Sequence, residues 1–193
     1  MADAGRVIAG TAKGVRLRAP GPGTRPLADR VKQTLFAILE PELSGARVLD
    51  LFAGSGAAGI EALSRGAGEA TFVEQDSGAA AVIEANLAAA RVGPAHVIRA
   101  DALRWLGGGG PFGGTFDIVI VDPPYTETEL LRRTLSLLGS PDAPLTARSR
   151  VVAKHFWRDR PPERIGMLAT ERERRFGETA LTFYRREEAG EPR

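Results

Sequence analysis

The chain of 193 residues contains no cysteine, and that absence excludes disulfides and thiolate zinc sites at once. Histidine is almost as scarce. His96 and His155 are the only two and stand far apart in sequence, so no metal site is expected. No run of apolar residues approaches the roughly 18 that a membrane helix needs. The opening "MADAGRVIAG" lacks the basic-then-apolar order of a signal peptide. These absences read as a soluble cytoplasmic protein, taken as a monomer. What is present, 43% hydrophobic and 26% charged residues, fits an ordinary globular chain with a core of its own.

Net charge is only +2, but its sign is unevenly spread. Residues 1–32 carry seven Lys or Arg against two acids, and residues 148–186 carry eleven against five. The stretch 33–147 reverses the balance, with seven basic and fourteen acidic residues. Basic flanks around an acidic middle fit a polyanion partner held beside a separate small-molecule site. Of the 26 basic residues, 23 are Arg, whose planar fork suits phosphates and base faces better than Lys does.

Along the chain, "RVIAGTAKGVRLRAP" predicts two short strands around a glycine turn. A Pro/Gly segment follows, then a helix from about Leu27 to Leu39 with Val31, Leu35, Phe36, Ile38 and Leu39 on one face. Next come four short strands rich in β-branched residues, "RVLDLF", "EATFVEQ", "AHVIRAD" and "FDIVIVD", with helical stretches between them. That alternation predicts a mainly parallel α/β sheet covered on both faces, with ligands at the carboxyl ends of the strands. A helix over Glu127 to Leu138 leads to "RVVAKHF", and "ATERERRFG" with "TALTFYRR" predicts a closing antiparallel hairpin.

Gly54-x-Gly56-x-x-Gly59 lies between the first of these strands and a helix, and Glu74 stands twenty residues after Gly54. Backbone N–H groups and glycine-permitted close approach make such a turn a seat for a nucleotide-like ligand. Glu74, ending the second strand, suits a two-point hydrogen bond to the hydroxyls of a ribose, and Asp101, ending the third, suits an adenine amino group. Asp50, Phe52, Ala53, Gln75 and Ala102 border these positions and complete the expected cofactor set. These features leave NAD and S-adenosylmethionine tied.

"IVIVDPPY", Ile118 to Tyr125, separates the two. An exocyclic amine conjugated with its ring is a poor nucleophile. Asp122 and the carbonyl of Pro123 can accept its two N–H bonds and help rehybridise the nitrogen toward an electrophilic methyl. Pro123 and Pro124 restrict the backbone and so fix the aim of that carbonyl. Tyr125 can stack on the base. A dehydrogenase has no evident use for this arrangement.

"DLFAGSGAAGIEALSRGA", "FVEQD", "VDPPY" and the N-terminal "RVIAGTAKGVRLRAP...TRPLADRVKQTLFAIL" together resemble the bacterial 16S ribosomal RNA guanine-N2 methyltransferases of the RsmD type, over roughly Arg6 to Arg185. The resemblance implies a class I methyltransferase (Rossmann-like) sheet of seven strands, S-adenosylmethionine as donor, and one guanine of 16S rRNA as target, expected within a small-subunit particle. It carries cofactor roles onto Asp50, Gly54, Gly56, Glu74 and Asp101, and the catalytic role onto Asp122 with Tyr125. Lys154 departs from the family's usual acidic residue at that position and receives no role. The expected organisation is an N-terminal β-hairpin extension contacting RNA over residues 1–26, a methyltransferase domain over 27–186 and a disordered tail over 187–193. Arg6, Lys13, Arg16, Arg18, Arg25, Arg30 and Lys32 are the expected RNA contacts, with Arg16 and Arg18 on one face of a strand. Two other functions stay open: a DNA amino-methyltransferase acting on adenine N6 or cytosine N4, for which no long target-recognition region is present, and a non-catalytic RNA-binding module, against which the intact Asp-Pro-Pro-Tyr argues.

Overall fold

The computed structural model describes residues 3–21, 28–108 and 113–187. The chain divides into two compact units, Met1–Asp101 and Ala102–Arg193. This division falls elsewhere than the boundary at residue 26 drawn from sequence, and it puts the N-terminal hairpin inside the first unit.

In the first unit, strands β1 (Asp3–Arg6) and β2 (Arg16–Arg18) pair antiparallel. Then α1 (Asp29–Leu43), β3 (Arg47–Leu51), α2 (Ala57–Ser64), β4 (Glu69–Glu74), α3 (Ser77–Ala90) and β5 (Ala95–Arg99) alternate. The three later strands are parallel in the order β5-β4-β3, with Val48 opposite Ala70 and Phe72 opposite Val97. β3 and β4 are buried along nearly their whole length, as parallel strands covered on both faces must be. Helix α1 starts close to the expected place but runs on through Pro41 to Leu43. Packing of Leu39 and Leu43, both almost fully buried, outweighs the hydrogen bond that proline removes near the helix end. Gly59 sets how closely α2 lies on β4. A Cβ there would stand 2.3 Å from the ring of Phe72, a clash that a packed core can relieve only by shifting backbone.

The second unit contains α4 (Ala102–Gly107), β6 (Phe116–Val121), α5 (Thr128–Leu138), β7 (Leu145–Phe156), β8 (Arg164–Ile165), β9 (Leu168–Phe176) and β10 (Thr179–Arg186). Its strand order is β6-β7-β10-β9-β8. β6 and β7 are parallel, with Val119 opposite Val151, and β10 runs antiparallel to both neighbours. Helix α5 buries Leu131, Thr134, Leu135 and Leu138, a stripe at helical spacing, while Arg132 and Arg133 face solvent. The α/β class, the N-terminal hairpin and the closing antiparallel hairpin agree with the sequence reading. The two-residue β8 was not foreseen. No helix among the described residues is long and apolar enough to cross a membrane.

Candidate functional site

The glycine-rich turn of the first unit is built on backbone conformations that few residues accept. Gly54 and Gly56 have φ of 55° and 73°, and Gly56 caps α2 in the left-handed region. Phe52 also adopts a positive φ, 60°, which for a bulky side chain stores strain of about 1–3 kcal/mol. Three side chains hold the turn in this shape. Asp50 accepts a hydrogen bond from Gly59 N–H at 2.9 Å. Glu74 accepts from Gly54 N–H through Oε2 at 2.8 Å and from Asp76 N–H through Oε1 at 2.9 Å. Buried Asn86 donates to the carbonyls of Ser55 and Arg18, each at 2.9 Å, and accepts from Arg18 N–H at 2.8 Å.

The expected cofactor residues therefore divide. Glu74 is half-buried, and each of its oxygens keeps a lone pair after its backbone bond, so a pair of vicinal hydroxyls can still be received. Asp50 is only 2% exposed and turned into the base of α2, so it shapes the turn from beneath; this departs from its expected place in contact with a ligand. Ala53 is buried and ties the turn to β4 by donating from its N–H to the Val73 carbonyl at 3.2 Å. Gln75 is exposed beside Glu74, Asp101 is partly exposed after β5, and Ala102 is buried at the start of α4. Asn86 escaped the sequence reading because nothing local distinguishes it from any polar helix residue.

In the second unit Asp122 follows the last residue of β6. Its Oδ1 lies 2.5 Å from the ammonium of Lys154, on the neighbouring strand β7. That ammonium also sits 4.8 Å from the centre of the Tyr125 ring, and the Tyr125 hydroxyl meets Thr179 Oγ1 of β10 at 2.7 Å. Burial pushes the Asp122 carboxyl up, and Lys154, by charge and hydrogen bond, opposes this without cancelling it. Burial also works against the charge on Lys154, but the facing Asp122 outweighs it and holds the lysine above its ordinary value. Pro123 is buried, Pro124 exposed, and the Pro124 carbonyl accepts from Glu127 N–H at 2.9 Å, closing the turn that leads to α5. Pro123, Pro124, Tyr125, Lys154, His155 and Phe156 line a pocket here. Burial lowers the His155 pKa and outweighs the Phe156 carbonyl, which at 2.8 Å from Nδ1 favours the charged form; with Thr182 Oγ1 2.9 Å from Nε2 the ring is bonded on both sides, so its part is structural. Lys154, left without a role by the sequence, turns out to be the immediate neighbour of Asp122.

The basic N-terminal residues are placed less uniformly than expected. Arg16 and Arg18 are both exposed and flank buried Leu17, which agrees with their alternation on β2. Arg16 pairs with Asp3 at 3.2 Å and Arg6 with Asp29 at 3.4 Å, while Lys13 and Arg30 are exposed. Lys32 is a correction. Its side chain is fully buried, its ammonium donates to the Arg6 carbonyl, and burial lowers its pKa, so it fastens the hairpin to α1 and presents no charge to a phosphate. Arg25 lies outside the described residues. The segment between β1 and β2 is itself anchored: Ile8 and Ala9 N–H donate to the buried Glu61 carboxylate at 2.7 and 3.0 Å, and Ala12 N–H donates to Ser64 Oγ at 2.9 Å. No group of three or more metal-binding side chains occurs among the described residues.

Comparison with known proteins bears on the whole length. The chain is 37% identical over 187 residues to the Ribosomal RNA small subunit methyltransferase D of Escherichia coli strain K12, covering 96% of this chain and 92% of that one. It is 38% identical over 183 residues to the protein YlbH of Bacillus subtilis, covering 94% and 98% respectively. Among solved structures, the Escherichia coli chain yhhF superposes with a TM-score of 0.82 at 36% identity, over 94% of this chain and 97% of that one. The family described as Conserved hypothetical protein 95 matches residues 5–185. With the glycine turn, Glu74 and the Asp-Pro-Pro-Tyr segment all inside that span, the chain belongs to this family, the RsmD family its motifs resemble.

Proposed function

We propose that this protein transfers a methyl group from S-adenosylmethionine to the exocyclic N2 amine of a guanine in 16S rRNA. The observation that carries the reading is the Asp122 carboxylate, fixed by Lys154 beside Pro123 and Tyr125 in a side-chain arrangement suited to an amine of low basicity. A relative of nearly the same length is named a small-subunit ribosomal RNA methyltransferase, which supports RNA as the substrate. The proposed setting is the cytoplasm, with a monomer acting on rRNA within a small-subunit particle and without a metal.

The first unit fits a nucleoside-bearing donor, because the Glu74 oxygens each retain an acceptor site beside a glycine turn in the left-handed conformation. Glu74 would receive the ribose hydroxyls, the backbone from Phe52 to Gly56 would line the donor, and Gln75, Asp101 and Ala102 would border its base. When bound, S-adenosylmethionine supplies a methyl group on a positively charged sulfur. Asp122 and the Pro123 carbonyl accept the two N–H bonds of the guanine amine and draw its lone pair out of conjugation. On transfer of that methyl to the amine nitrogen, Asp122 Oδ2 would take the amine proton while Oδ1 stays bonded to Lys154. Tyr125, steadied by Thr179, stacks on the base. These interactions act because they strengthen as the nitrogen becomes positive.

The reading is tested by incubating the protein with methyl-labelled S-adenosylmethionine and, separately, 16S rRNA, assembled small subunits and duplex DNA. Nucleoside analysis of the product is expected to give N2-methylguanosine from rRNA. Label in N6-methyladenine or N4-methylcytosine of DNA instead, or no transfer to any acid-precipitable product, would overturn it.

A further inference from the structure

The loop after β7 and the turn between β9 and β10 carry a cluster that the proposed chemistry does not use. Trp157 is half-buried. The Arg175 guanidinium lies 3.6 Å from the centre of its ring and that of Arg158 lies 4.9 Å away. Phe156 stands beside the indole with ring centres 6.3 Å apart. Both arginines are exposed, and neither has a carboxylate partner among the described residues. Some arginines nearby are neutralised, Arg160 by Glu173 at 2.9 Å and Arg150 and Arg185 by a shared Glu171 at 3.1 and 3.4 Å; what sets Arg158 and Arg175 apart is their place over the Trp157 ring. In the N-terminal hairpin Arg6 and Arg16 are paired, and Lys32 on α1 is buried.

This cluster adjoins the pocket lined by Pro123, Pro124, Tyr125 and Lys154. Phe156 and Asp159, on either side of Trp157, both line that pocket. Trp157 N–H donates to the Glu178 carbonyl at 3.0 Å, and the next residue, Thr179, holds the Tyr125 hydroxyl. Arg175 Nε donates to the Gly177 carbonyl at 2.9 Å, which fixes the guanidinium against the indole while leaving its terminal nitrogens available. Flat cationic and aromatic faces with unneutralised charge match the two surfaces of an unpaired nucleotide, its base and its phosphate.

We propose that Trp157, Arg158 and Arg175 form a docking site for single-stranded RNA next to the target base, with the indole and guanidinium planes stacking on a flanking base and the two arginines meeting its phosphates. The proposal rests on the RNA methyl-transfer reading above and adds to it where the substrate strand is gripped.

Trp105 is buried, so in a Trp105→Phe protein Trp157 is the one remaining indole and reports directly on this surface. Titration with a short single-stranded RNA oligonucleotide is expected to quench its fluorescence to saturation, whereas a polyglutamate peptide leaves it unchanged. In the protein with both tryptophans, Trp157→Ala is expected to weaken RNA binding about tenfold or more. Arg158→Glu with Arg175→Glu is expected to raise KM for RNA and to make the salt slope of binding shallower by about 1.4, two single-strand phosphate contacts. Circular dichroism and S-adenosylhomocysteine affinity matching the parent protein establish that these exposed changes leave the fold intact. Wild-type RNA affinity, KM and salt slope in the variants, with methyl transfer to rRNA intact, would overturn the docking site and leave the activity standing. Quenching by RNA in a protein that transfers no methyl to rRNA would do the reverse. Quenching by polyglutamate and not by RNA would assign the surface to an acidic protein segment and overturn the proposal.

Discussion

The two units hold their key carboxylates by opposite means. In the first, Asp50 and Glu74 are fixed by backbone N–H groups: Gly59 for Asp50, Gly54 and Asp76 for Glu74. In the second, Asp122 is fixed by the charged side chain of Lys154. Backbone donors are neutral and do not titrate, so they lock geometry without altering the charge the site presents. An ammonium locks geometry and also offsets the carboxylate's charge. A site that must receive neutral hydroxyls is served by the first arrangement. One that must stay ionised against burial while a cationic nitrogen develops nearby gains from the second.

Breaking the second arrangement at its centre is expected to have the largest effect. Asp122→Ala should lower single-turnover methyl transfer about 100- to 1,000-fold, comparable to the loss of one aimed polar group in other transition states, while S-adenosylhomocysteine binding by calorimetry stays near the parent value. Asp122→Asn offers one acceptor oxygen in place of two and should also be impaired. Equal rates in all three proteins would remove Asp122 from the chemistry.

Breaking the first arrangement is expected to act on binding. Glu74→Ala removes the acceptor of Gly54 N–H and the one proposed for the ribose hydroxyls, so donor affinity should fall about 10- to 100-fold. Calorimetry with S-adenosylhomocysteine reads this directly, and an unchanged dissociation constant would return the turn to a scaffold role. A better affinity for NAD than for S-adenosylhomocysteine in the parent protein would do so as well.

Lys154→Met sharpens the comparison by leaving the carboxylate without its counter-ion. Lys154 pulls the Asp122 carboxyl down against burial, so its removal raises that pKa further. Because the proposed reaction uses Asp122 in its ionised form, activity should be lost at a higher pH as the solution is acidified. The acidic limb of kcat/KM therefore moves upward, and Lys154→Arg should restore it in part. Glu74 variants should leave that limb where it is. An acidic limb unmoved by Lys154→Met would mean that the pairing has no electrostatic part in the reaction.

The smallest effect is expected from Arg16→Glu with Arg18→Glu. Arg16 is already paired with Asp3, so the loss of RNA affinity should be a few-fold, with a slightly shallower salt slope. A loss larger than that of the Trp157 and Arg175 variants would shift the main RNA grip to the hairpin.

The same contrast explains what the sequence made legible. The glycine turn depends on conformations that only certain residues accept, within ten positions of each other, so Gly54, Gly56 and Gly59 announced it. Glu74 could be placed because the chain between it and the turn is one helix and one strand. Lys154 could not be assigned, since it is 32 residues from Asp122 and its proximity depends on which strand lies beside β6. Lys32 misled for a related reason. Its charge suggested exposure, whereas the helix phase it shares with Val31, Leu35 and Phe36 carried it into the interior. The cluster at Trp157 needs the β9–β10 turn folded against the end of β7, a tertiary fact with no local signature.

Asn86 gives the N-terminal hairpin an evolutionary consequence. Its one amide serves the Arg18 backbone and the Ser55 carbonyl together, and Glu61 on α2 is fully buried partly by the hairpin it binds. A lineage that shed the hairpin would bare an inward-facing carboxylate on α2 and an amide on α3 shaped for a missing strand, so helices and hairpin must change in step. The hairpin is thus part of the framework of this unit, tied to α2 and α3 by buried polar contacts, and not a detachable module.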